Sequence, residues 1–224
     1  MTSEMKYVRV GKSGPKVSQI ILGCMSFGDK NWQPWLLDKD EALPILKMDR
    51  DVSQKEIMKA LNDVIESGKV RYVCASSIAA WEFQMLQNVS QQNRWHKFIS
   101  MQGLYNLLYR EEEREMNPYC SYSGVDRTDA REQKDPFLKL LFRGGDQNTD
   151  RAIVDRVEEL AQKKGVAMAQ IAQAWLISKG CMPICGLDSE ERIDQAVGAL
   201  QVTLSDEEIK HLEELYVPKV SFPT

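Results

Sequence analysis

The feature that most constrains this chain is an alternation of helix-like and strand-like segments within residues 53–110. Ser53 and Glu56 form an S-x-x-E capping box, which predicts a helix that begins there and ends at Gly68. The apolar side chains of this segment recur with the period of a helix and are Ile57, Ala60, Leu61, Val64 and Ile65.

Two short apolar runs, at residues 70–75 and 97–101, continue the alternation and are typical of buried strands. The helix predicted between them is expected to bury four apolar side chains, which are Trp81, Met85, Leu86 and Val89. Helices and strands at this spacing predict βα units, and therefore an α/β fold with a parallel sheet.

Ligands of such folds bind at the carboxyl ends of the strands. Ser76 and Ser77 directly follow the first predicted strand, and Gln102 follows the second. The sequence therefore makes these three residues candidates for a binding site. The carboxamide of Gln102 suits a planar amide ligand, and a purely structural role for it is equally compatible with the sequence.

Composition narrows the classes of function. The 224 residues allow one or two domains, and 43% of them are hydrophobic and 28% charged, as in ordinary globular proteins. The net charge of -4 comes from interspersed acidic and basic residues, which argues against a nucleic-acid or membrane-surface partner. The sequence has neither an N-terminal apolar signal core nor a membrane-length apolar run, so a cytoplasmic protein is expected.

The cysteines and histidines do not predict a catalytic or metal centre. Five cysteines are scattered through mostly apolar segments, which favours buried thiols over disulfides or a metal clip; they are Cys24, Cys74, Cys120, Cys181 and Cys185. His96 precedes a strand and His211 lies in the last predicted helix, so no metal site and no Ser/His/Asp triad is predicted.

The N-terminal region is expected to form a hairpin from residues 7–10 and 17–22, and residues 20–25 have the composition of a buried strand. The Gly-Lys-Ser sequence at residues 11–13 suggests a phosphate-binding loop, but that pattern requires glycine where Lys6 stands. Residues 38–47 are compatible with one short helix.

Beyond the central stretch, residues 110–116 are predicted to continue as a charged helix whose carboxylates face water. Residues 126–134 are almost entirely polar and are predicted to be a surface linker, and residues 137–142 carry a small apolar patch.

The C-terminal part is predicted to form two helices, a strand and two further helices. Thr149 or Asp150 is expected to cap the first helix, and residues 182–186 form the strand. Ser189 starts the next helix, and Ser205 with Glu208 forms a second capping box, in front of the last one.

The turn after the strand at residues 182–186 is a candidate anion site. Free backbone N–H groups, the positive end of the helix dipole and Arg192 one turn into the helix could together bind a phosphate. Serine caps and first-turn arginines also occur in helices without ligands, so a structural role remains an alternative.

Four long segments resemble the NADP-dependent aldo-keto reductases, in particular the fungal branch of aryl-alcohol dehydrogenase-like proteins and versiconal hemiacetal acetate reductases. They occur in the family's order and read KYVRVGKSGPKVSQIILGCMSFG, EIMKALNDVIESGKVRYVCASS, FISMQGLYNLLYREEERE and PICGLDSEERIDQAVGALQVTLSDEEIKHLEELY. The resemblance implies a (β/α)8 TIM barrel and hydride transfer from NADPH to a small-molecule aldehyde or ketone, with a place in secondary metabolism as one expectation.

The resemblance also assigns roles to residues of this chain. Ser76, Ser77 and Gln102 match the positions that hold the nicotinamide amide. The positions around the adenosine and its 2′-phosphate are matched by Gly186, Leu187, Ser189, Arg192 and Gln195. No metal ligand is implied.

The chain departs from the family in what it lacks. The βα units that supply the family's catalytic aspartate, tyrosine, lysine and histidine have no counterpart, so no catalytic residue is assigned. We expect one truncated barrel domain over residues 1–224, lacking about half of its strands, with gaps near residues 47–51 and 124–129. A polar segment stands where the family has its next strand after residue 125.

Three hypotheses follow. In the first, the chain descends from reductases but is inactive because it lacks a proton donor. Carbonyl reduction needs such a donor within hydrogen-bond reach of the substrate oxygen. Alternatively, it is a silent remnant or the product of a mispredicted gene model. As a third possibility, a binding or scaffold protein would use the open edges of four barrel-type strands to join a protein partner or a second copy.

Overall fold

The computed structural model describes residues 5–23, 52–123, 126–129, 147–187 and 189–219, with the backbone alone for 122–123, 126–129 and 147. The predictions for Cys24 and for residues 24–25, 38–47, 130–134 and 137–142 lie outside these ranges.

The chain begins with the predicted antiparallel hairpin, formed by β1 (Tyr7–Arg9) and β2 (Lys16–Ser18). Val8 lies opposite Val17 in its register. The apolar run at residues 17–22 is not one strand, because β2 ends at Ser18 and β3 (Ile21–Leu22) belongs to a separate sheet.

In the described part of the chain, the main sheet has five strands, β3, β4 (Ala75–Ser76), β5 (Ser100–Gly103), β6 (Asp126–Asp129) and β7 (Met182–Cys185). Their order across the sheet is β3-β7-β6-β5-β4, and all neighbours are parallel. Within the residues described, β3 and β4 are the outer strands and do not pair with each other. The fold is therefore α/β with an open parallel sheet, as expected of an incomplete barrel.

Strand β6 corrects the predicted surface linker at residues 126–134. Residues 126–129 lie between two strands, with Thr128 in register with both Gln102 of β5 and Met182 of β7. Backbone hydrogen bonds to neighbours on both sides stabilise a strand whatever its side chains are, which is why a polar sequence adopts this position. The sheet has five strands where four were expected.

Seven helices are described: α1 (Gln54–Glu66), α2 (Ala80–Asn93), α3 (Met116–Ser123), α4 (Gln147–Lys164), α5 (Met168–Ser178), α6 (Glu190–Gly198) and α7 (Asp206–Glu213). Two 3₁₀ turns, at Glu111–Glu113 and Ala199–Gln201, precede α3 and follow α6. Both predicted capping boxes are confirmed at Ser53 and Ser205, and Gly68 follows the end of α1 with φ of 76°. Helix α4 starts before the predicted caps at Thr149 and Asp150.

The buried faces of α1 and α2 differ from the predicted ones. In α1 the buried residues are Met58 and Asn62, whereas Ala60 and Val64 are exposed. In α2 the prediction holds for Leu86, and Val89 is partly buried, but Trp81 and Met85 are 55% and 40% exposed. The face of α2 that packs inward is centred on Phe83, whose ring stacks on Phe98 at 5.7 Å between centroids.

The predicted strands of the central stretch are shifted toward their carboxyl ends. Strand β4 covers only Ala75–Ser76, although the hydrogen bond from Ile99 N–H to Val73 O, 3.1 Å long, continues the extended pairing before it. Strand β5 starts at Ser100 rather than at residue 97. Strand β4 ends one residue and β5 two residues beyond the predicted ends, so Ser76 and Gln102 lie within their strands and not directly after them.

The core consists of three clusters. One lies between α4, α5 and α7 around Trp175, a second lies between α1, α2 and β5 around Phe83, and a third packs α6 against β7 around Ile20 and Cys185. The predicted buried thiols are confirmed for Cys120, Cys181 and Cys185, but Cys74 is exposed, and within the described residues none of these four cysteines forms a disulfide.

Among the helices in the described ranges, none is both long and apolar enough to span a membrane. The same part of the chain contains no cluster of three or more histidine, cysteine or acidic side chains that could hold a metal ion.

Candidate cofactor site

The candidate site lies along the carboxyl edge of the main sheet, where β4, β5 and β7 end. Because all five strands are parallel, the residues that follow these three strands share one edge. The sheet order puts β5 next to β4 and separates β5 from β7 by β6 alone. Two intervals between strands correspond to about 10 Å, so the β5 and β7 ends of the edge are separated by about 10 Å.

The structure brings Ser76, Ser77 and Gln102 together. Ser76 is the register partner of Gln102, and the N–H of Ser77 donates to the Gln102 carbonyl over 3.1 Å. The hydroxyls of Ser76 and Ser77 are 3.2 Å apart. The Gln102 side chain is exposed at this edge, so its carboxamide is accessible to a ligand.

Ser77 has a backbone conformation that serine seldom adopts. Its φ is 54°, in the left-handed region, which costs a residue with a Cβ about 1 to 2 kcal/mol. Such strained residues persist where the surrounding structure fixes them, and they concentrate at binding sites. Here the conformation turns the chain out of β4 directly beside Gln102.

The second group of residues follows β7. Gly186 and Leu187 are partly buried, and Ser189 caps α6 by accepting from the Arg192 N–H over 3.3 Å. The predicted start of this helix at Ser189 is thereby confirmed. The arrangement offers an anion the N-terminal end of a nine-residue helix with a guanidinium one turn along it.

Two features weaken the attraction of this turn for an anion. Glu190 and Glu191 occupy the first turn of α6 together with Arg192. The side-chain amide of Gln195 donates to Glu191 over 3.3 Å, so this group is already engaged along the helix. The turn after β7 therefore combines one cation with two carboxylates.

The sequence analysis missed Glu112, which lies against the backbone next to Gln102. A Cβ placed on Gly103 would be only 3.0 Å from the Glu112 carboxyl carbon. Burial raises the pKa of Glu112 to about 7, and the nearby carboxylate of Glu115 acts in the same direction. Since successive residues of a strand face opposite sides, Glu112 lies on the face away from the Gln102 side chain.

The prediction of a water-facing carboxylate run at residues 110–116 was wrong for its first three acids. Glu111 is 7% exposed, and Glu112 and Glu113 are partly buried. Burial alone would raise the pKa of Glu113, but hydrogen bonds from Arg110 and Tyr105 reverse the effect and lower it. The spacing of three residues between Arg110 and Glu113 was the signal that could have revealed this ion pair.

The two histidines lie away from the site, as the sequence predicted. His96 Nε2 is 2.8 Å from Glu66, and His211 Nε2 is 3.4 Å from Glu159. Both pairs are at the protein surface.

Comparison with known proteins identifies the family of this chain. The family model described as "Aldo/keto reductase family" matches residues 47–217. Versiconal hemiacetal acetate reductase of Aspergillus parasiticus is 36% identical over 340 aligned positions, which cover 98% of this chain and 99% of that protein. The alignment is thus much longer than the chain itself, whose 224 residues are fewer than those of the relative.

Two other relatives match a smaller share of their length. A putative aryl-alcohol dehydrogenase of Schizosaccharomyces pombe is 44% identical over 80% of this chain and 55% of its own length. A putative aryl-alcohol dehydrogenase of Saccharomyces cerevisiae is 42% identical over 80% of this chain and 57% of its own length. The chain therefore spans little more than half of these two relatives.

A solved structure supports the same fold. The crystal structure of a thermostable aldo-keto reductase with the inhibitor epalrestat superposes with a TM-score of 0.60 at 24% identity, covering 75% of this chain and 56% of that one. The open parallel sheet and this structural likeness define an incomplete barrel of the TIM-barrel class. The chain belongs to the aldo/keto reductase family, whose members generally use NAD(P)H.

Proposed function

We propose that this chain binds NADP(H) at the carboxyl edge of its sheet and, in its 224-residue form, does not reduce carbonyl compounds. The nicotinamide end of the cofactor contacts Ser76, Ser77 and Gln102. The adenosine end contacts Gly186, Leu187, Ser189, Arg192 and Gln195. The lineage function is the reduction of a small-molecule aldehyde or ketone in the cytoplasm, in keeping with the relative named for versiconal hemiacetal acetate.

The observation that carries the proposal is the pairing of Ser76 with Gln102 at adjacent strand ends, on the same edge as the Ser189 cap. Hydroxyl and carboxamide groups suit the amide of a nicotinamide, because they donate and accept hydrogen bonds in one plane. A helix N-terminus with an arginine suits a phosphate. The residues present therefore fit the cofactor, which when bound would supply a hydride.

The inactive form is inferred from the sequence, in which the βα units that carry the family's catalytic residues have no counterpart, and the state of three tyrosines supports it. Burial is the largest cause of a raised pKa in Tyr105, Tyr119 and Tyr216. A phenol that is to protonate a developing alkoxide needs the opposite shift, toward the working pH. The hydroxyl of Tyr105 also donates to Glu113 over 2.5 Å, so it is already engaged.

Isothermal titration calorimetry of the purified chain tests the binding half of the proposal. We expect Arg192→Ala to weaken NADPH more than NADH, because only NADPH carries the 2′-phosphate, and Gln102→Ala to weaken both alike. Arg151→Ala and Gln92→Ala are the matched controls, since both side chains are exposed and lie on α4 and α2. Failure of the unmodified chain to bind either cofactor would refute the proposal.

Turnover tests the other half. We expect no NADPH oxidation by the purified chain with a panel of aromatic and aliphatic aldehydes. If the unmodified chain does oxidise NADPH and Gln102→Ala abolishes this activity, the chain contains an unrecognised proton donor and the proposed inactivity is wrong. Sequencing the transcript across residues 47–51 and 124–129 then separates a single truncated domain from a faulty gene model, since only the latter predicts reads that restore the missing strands.

A second candidate function is protein binding through the outer strands. Within the described residues β3 and β4 have one sheet neighbour each, and Tyr72, just before β4, is 51% exposed. Unpaired strand edges pair readily with other chains. Light scattering after size-exclusion chromatography should then show association of the chain, and Tyr72→Lys should suppress it. Tyr7→Lys is the control, because it changes a 64% exposed residue of the hairpin and should leave the association intact.

A further inference from the structure

The segment from Tyr216 to Lys219, which we call the C-terminal strap, is held to the rest of the molecule by one buried carboxylate. The Tyr216 hydroxyl donates to Glu111 Oε1 over 2.5 Å, and the Lys219 backbone N–H donates to the same oxygen over 2.7 Å. The Tyr216 hydroxyl also accepts from the Arg110 N–H at 2.9 Å. Glu111 is therefore the point at which the strap meets the turn that precedes α3.

A buried ion pair also holds the Lys219 end of the strap. Lys219 Nζ lies 2.6 Å from both carboxylate oxygens of Asp150, in α4. The side chains of Lys219 and Asp150 are only 8% and 19% exposed. Removing one member of a pair this buried leaves the other charge without compensation, so the contact constrains the strap strongly.

The strap is connected to the nicotinamide end of the site by consecutive contacts. Glu111 precedes Glu112, whose carboxyl group lies against the backbone of Gly103. Gly103 is the last residue of β5 and follows Gln102 directly. A shift of the turn at Glu111–Glu113 would move the group that packs on the end of β5, and with it the backbone that presents the Gln102 carboxamide.

The strap contacts described above do not involve the adenosine end of the site. Ser189 and Arg192 lie on α6, which follows β7, whereas the strap contacts residues that follow β5 and residues of α4. A loosened strap is therefore expected to disturb one end of the cofactor site and spare the other.

We propose that the C-terminal strap, through Tyr216, Lys219 and Glu111, is a positioning element that holds the Gln102 end of the cofactor site in its binding geometry. This inference rests on the proposed function of that site. Glu111 is the central residue of this arrangement, because a single oxygen of its carboxylate accepts hydrogen bonds from two residues of the strap. Coupling of this kind requires a contiguous set of contacts and has to be tested as a free-energy difference between two ligands.

The experiment compares two ligands in the full chain. One is NADP⁺, and the other is 2′-phospho-ADP-ribose, which has the adenosine end but lacks the nicotinamide. We expect Tyr216→Phe, which removes the hydroxyl and keeps the ring, to weaken NADP⁺ by about fivefold or more, the usual lower limit of coupling between sites. Binding of 2′-phospho-ADP-ribose should stay unchanged.

Lys219→Met is the second variant, and Lys210→Met, at an exposed lysine of α7, is its matched control. If both ligands weaken together, or neither does, the positioning role is wrong. If the unmodified chain binds neither ligand, the proposed function itself fails.

Hydrogen exchange keeps the inference testable without any ligand. In Tyr216→Phe the amides of residues 103–112 should exchange faster, while those of α6 keep their protection. Unchanged exchange in residues 103–112 would overturn the proposal whatever the cofactor does.

Discussion

Gln87 and the backbone of Phe98 exchange two hydrogen bonds, each 3.0 Å long. The Gln87 side-chain amide donates to the Phe98 carbonyl, and its oxygen accepts from the Phe98 N–H. Both residues are buried, at 9% and 7% exposure. A side chain of α2 thus takes the place of a neighbouring strand just before β5 begins.

Replacing this glutamine by leucine should destabilise the fold. Gln87→Leu leaves one buried N–H and one buried C=O of Phe98 without partners, and each such group costs about 1 to 3 kcal/mol. We expect a loss of about 2 to 4 kcal/mol in the free energy of unfolding, measured by urea denaturation. Gln84→Leu changes an exposed glutamine of the same helix and should have little effect. Equal midpoints for both variants would contradict this account.

The raised pKa of Glu112 predicts a pH-dependent stability. Its pKa in the folded chain, about 7, lies above the ordinary value of 4.5, so the folded state binds the proton more tightly. The stabilisation from this proton is complete below pH 4.5 and is lost as the pH rises through 7. Glu112→Gln, which stays neutral, should equal the unmodified chain in acid and exceed it by about 2 to 3 kcal/mol above neutrality.

Thermal unfolding at a series of pH values measures the Glu112 effect. Glu115→Gln is an informative partner variant, because the loss of this like charge should lower the Glu112 pKa and shrink the difference. A gap between Glu112→Gln and the unmodified chain that stays constant with pH would show that the carboxyl does not titrate in this range.

Glu213 connects α7 to α5 and is expected to matter more than its exposed neighbour. It accepts from Trp175 Nε1 over 2.7 Å and lies 2.6 Å from Lys179 Nζ and 3.3 Å from the Arg110 guanidinium. Glu213→Leu leaves the indole N–H of the fully buried Trp175 without its acceptor, and should cost about 2 to 4 kcal/mol.

The matched control for Glu213 is Glu214→Leu, whose carboxylate is 45% exposed and pairs with Arg156. Exposed pairs contribute about 1 kcal/mol or less, so this variant should be nearly neutral. Guanidinium denaturation followed by tryptophan fluorescence compares the two. Similar losses in both variants would mean that the ion pairs, and not the buried indole, dominate.

Strand β6 can be tested with proline. Thr128→Pro removes a backbone donor from a strand that has neighbours on both sides and should cost about 3 kcal/mol or more, as proline does in regular structure. Thr128→Val keeps a β-branched side chain and should be tolerated. If both variants fold with equal stability, residues 126–129 do not form an inner strand, and the surface linker predicted for residues 126–134 is correct.

The elements that the sequence predicted well are those whose signal is local. Ser53 and Ser205 cap their helices with the third residue along, and Ser189 does so with Arg192, so neighbours in the sequence decide the structure. The approximate positions of the strand ends near Ser76 and Gln102 could also be predicted from the sequence, because each apolar run is followed by polar residues.

What the sequence could not supply depends on distant partners. Strand β6 has no alternation of its own and forms because β5 and β7 lie on either side of it. Trp81 was expected inside, but Phe83 stacks on Phe98 and so decides which face of α2 turns inward. The sequence predicts that Glu111 is one of several solvated acids, whereas in the fold it accepts a hydrogen bond from Tyr216, far along the chain.

The pairing of Ile21 with Ile184 sets the order in which the sheet can be completed during synthesis. The sheet partner of β3, strand β7, is made roughly 8 to 30 seconds after it at ordinary elongation rates. Until then the apolar side chain of Ile20, which is 2% exposed in the finished fold, lacks the cover of Cys185 and Leu200. The apolar surface around Ile20 therefore stays uncovered in the nascent chain for that interval, and the exposure ends only after β7 has been made.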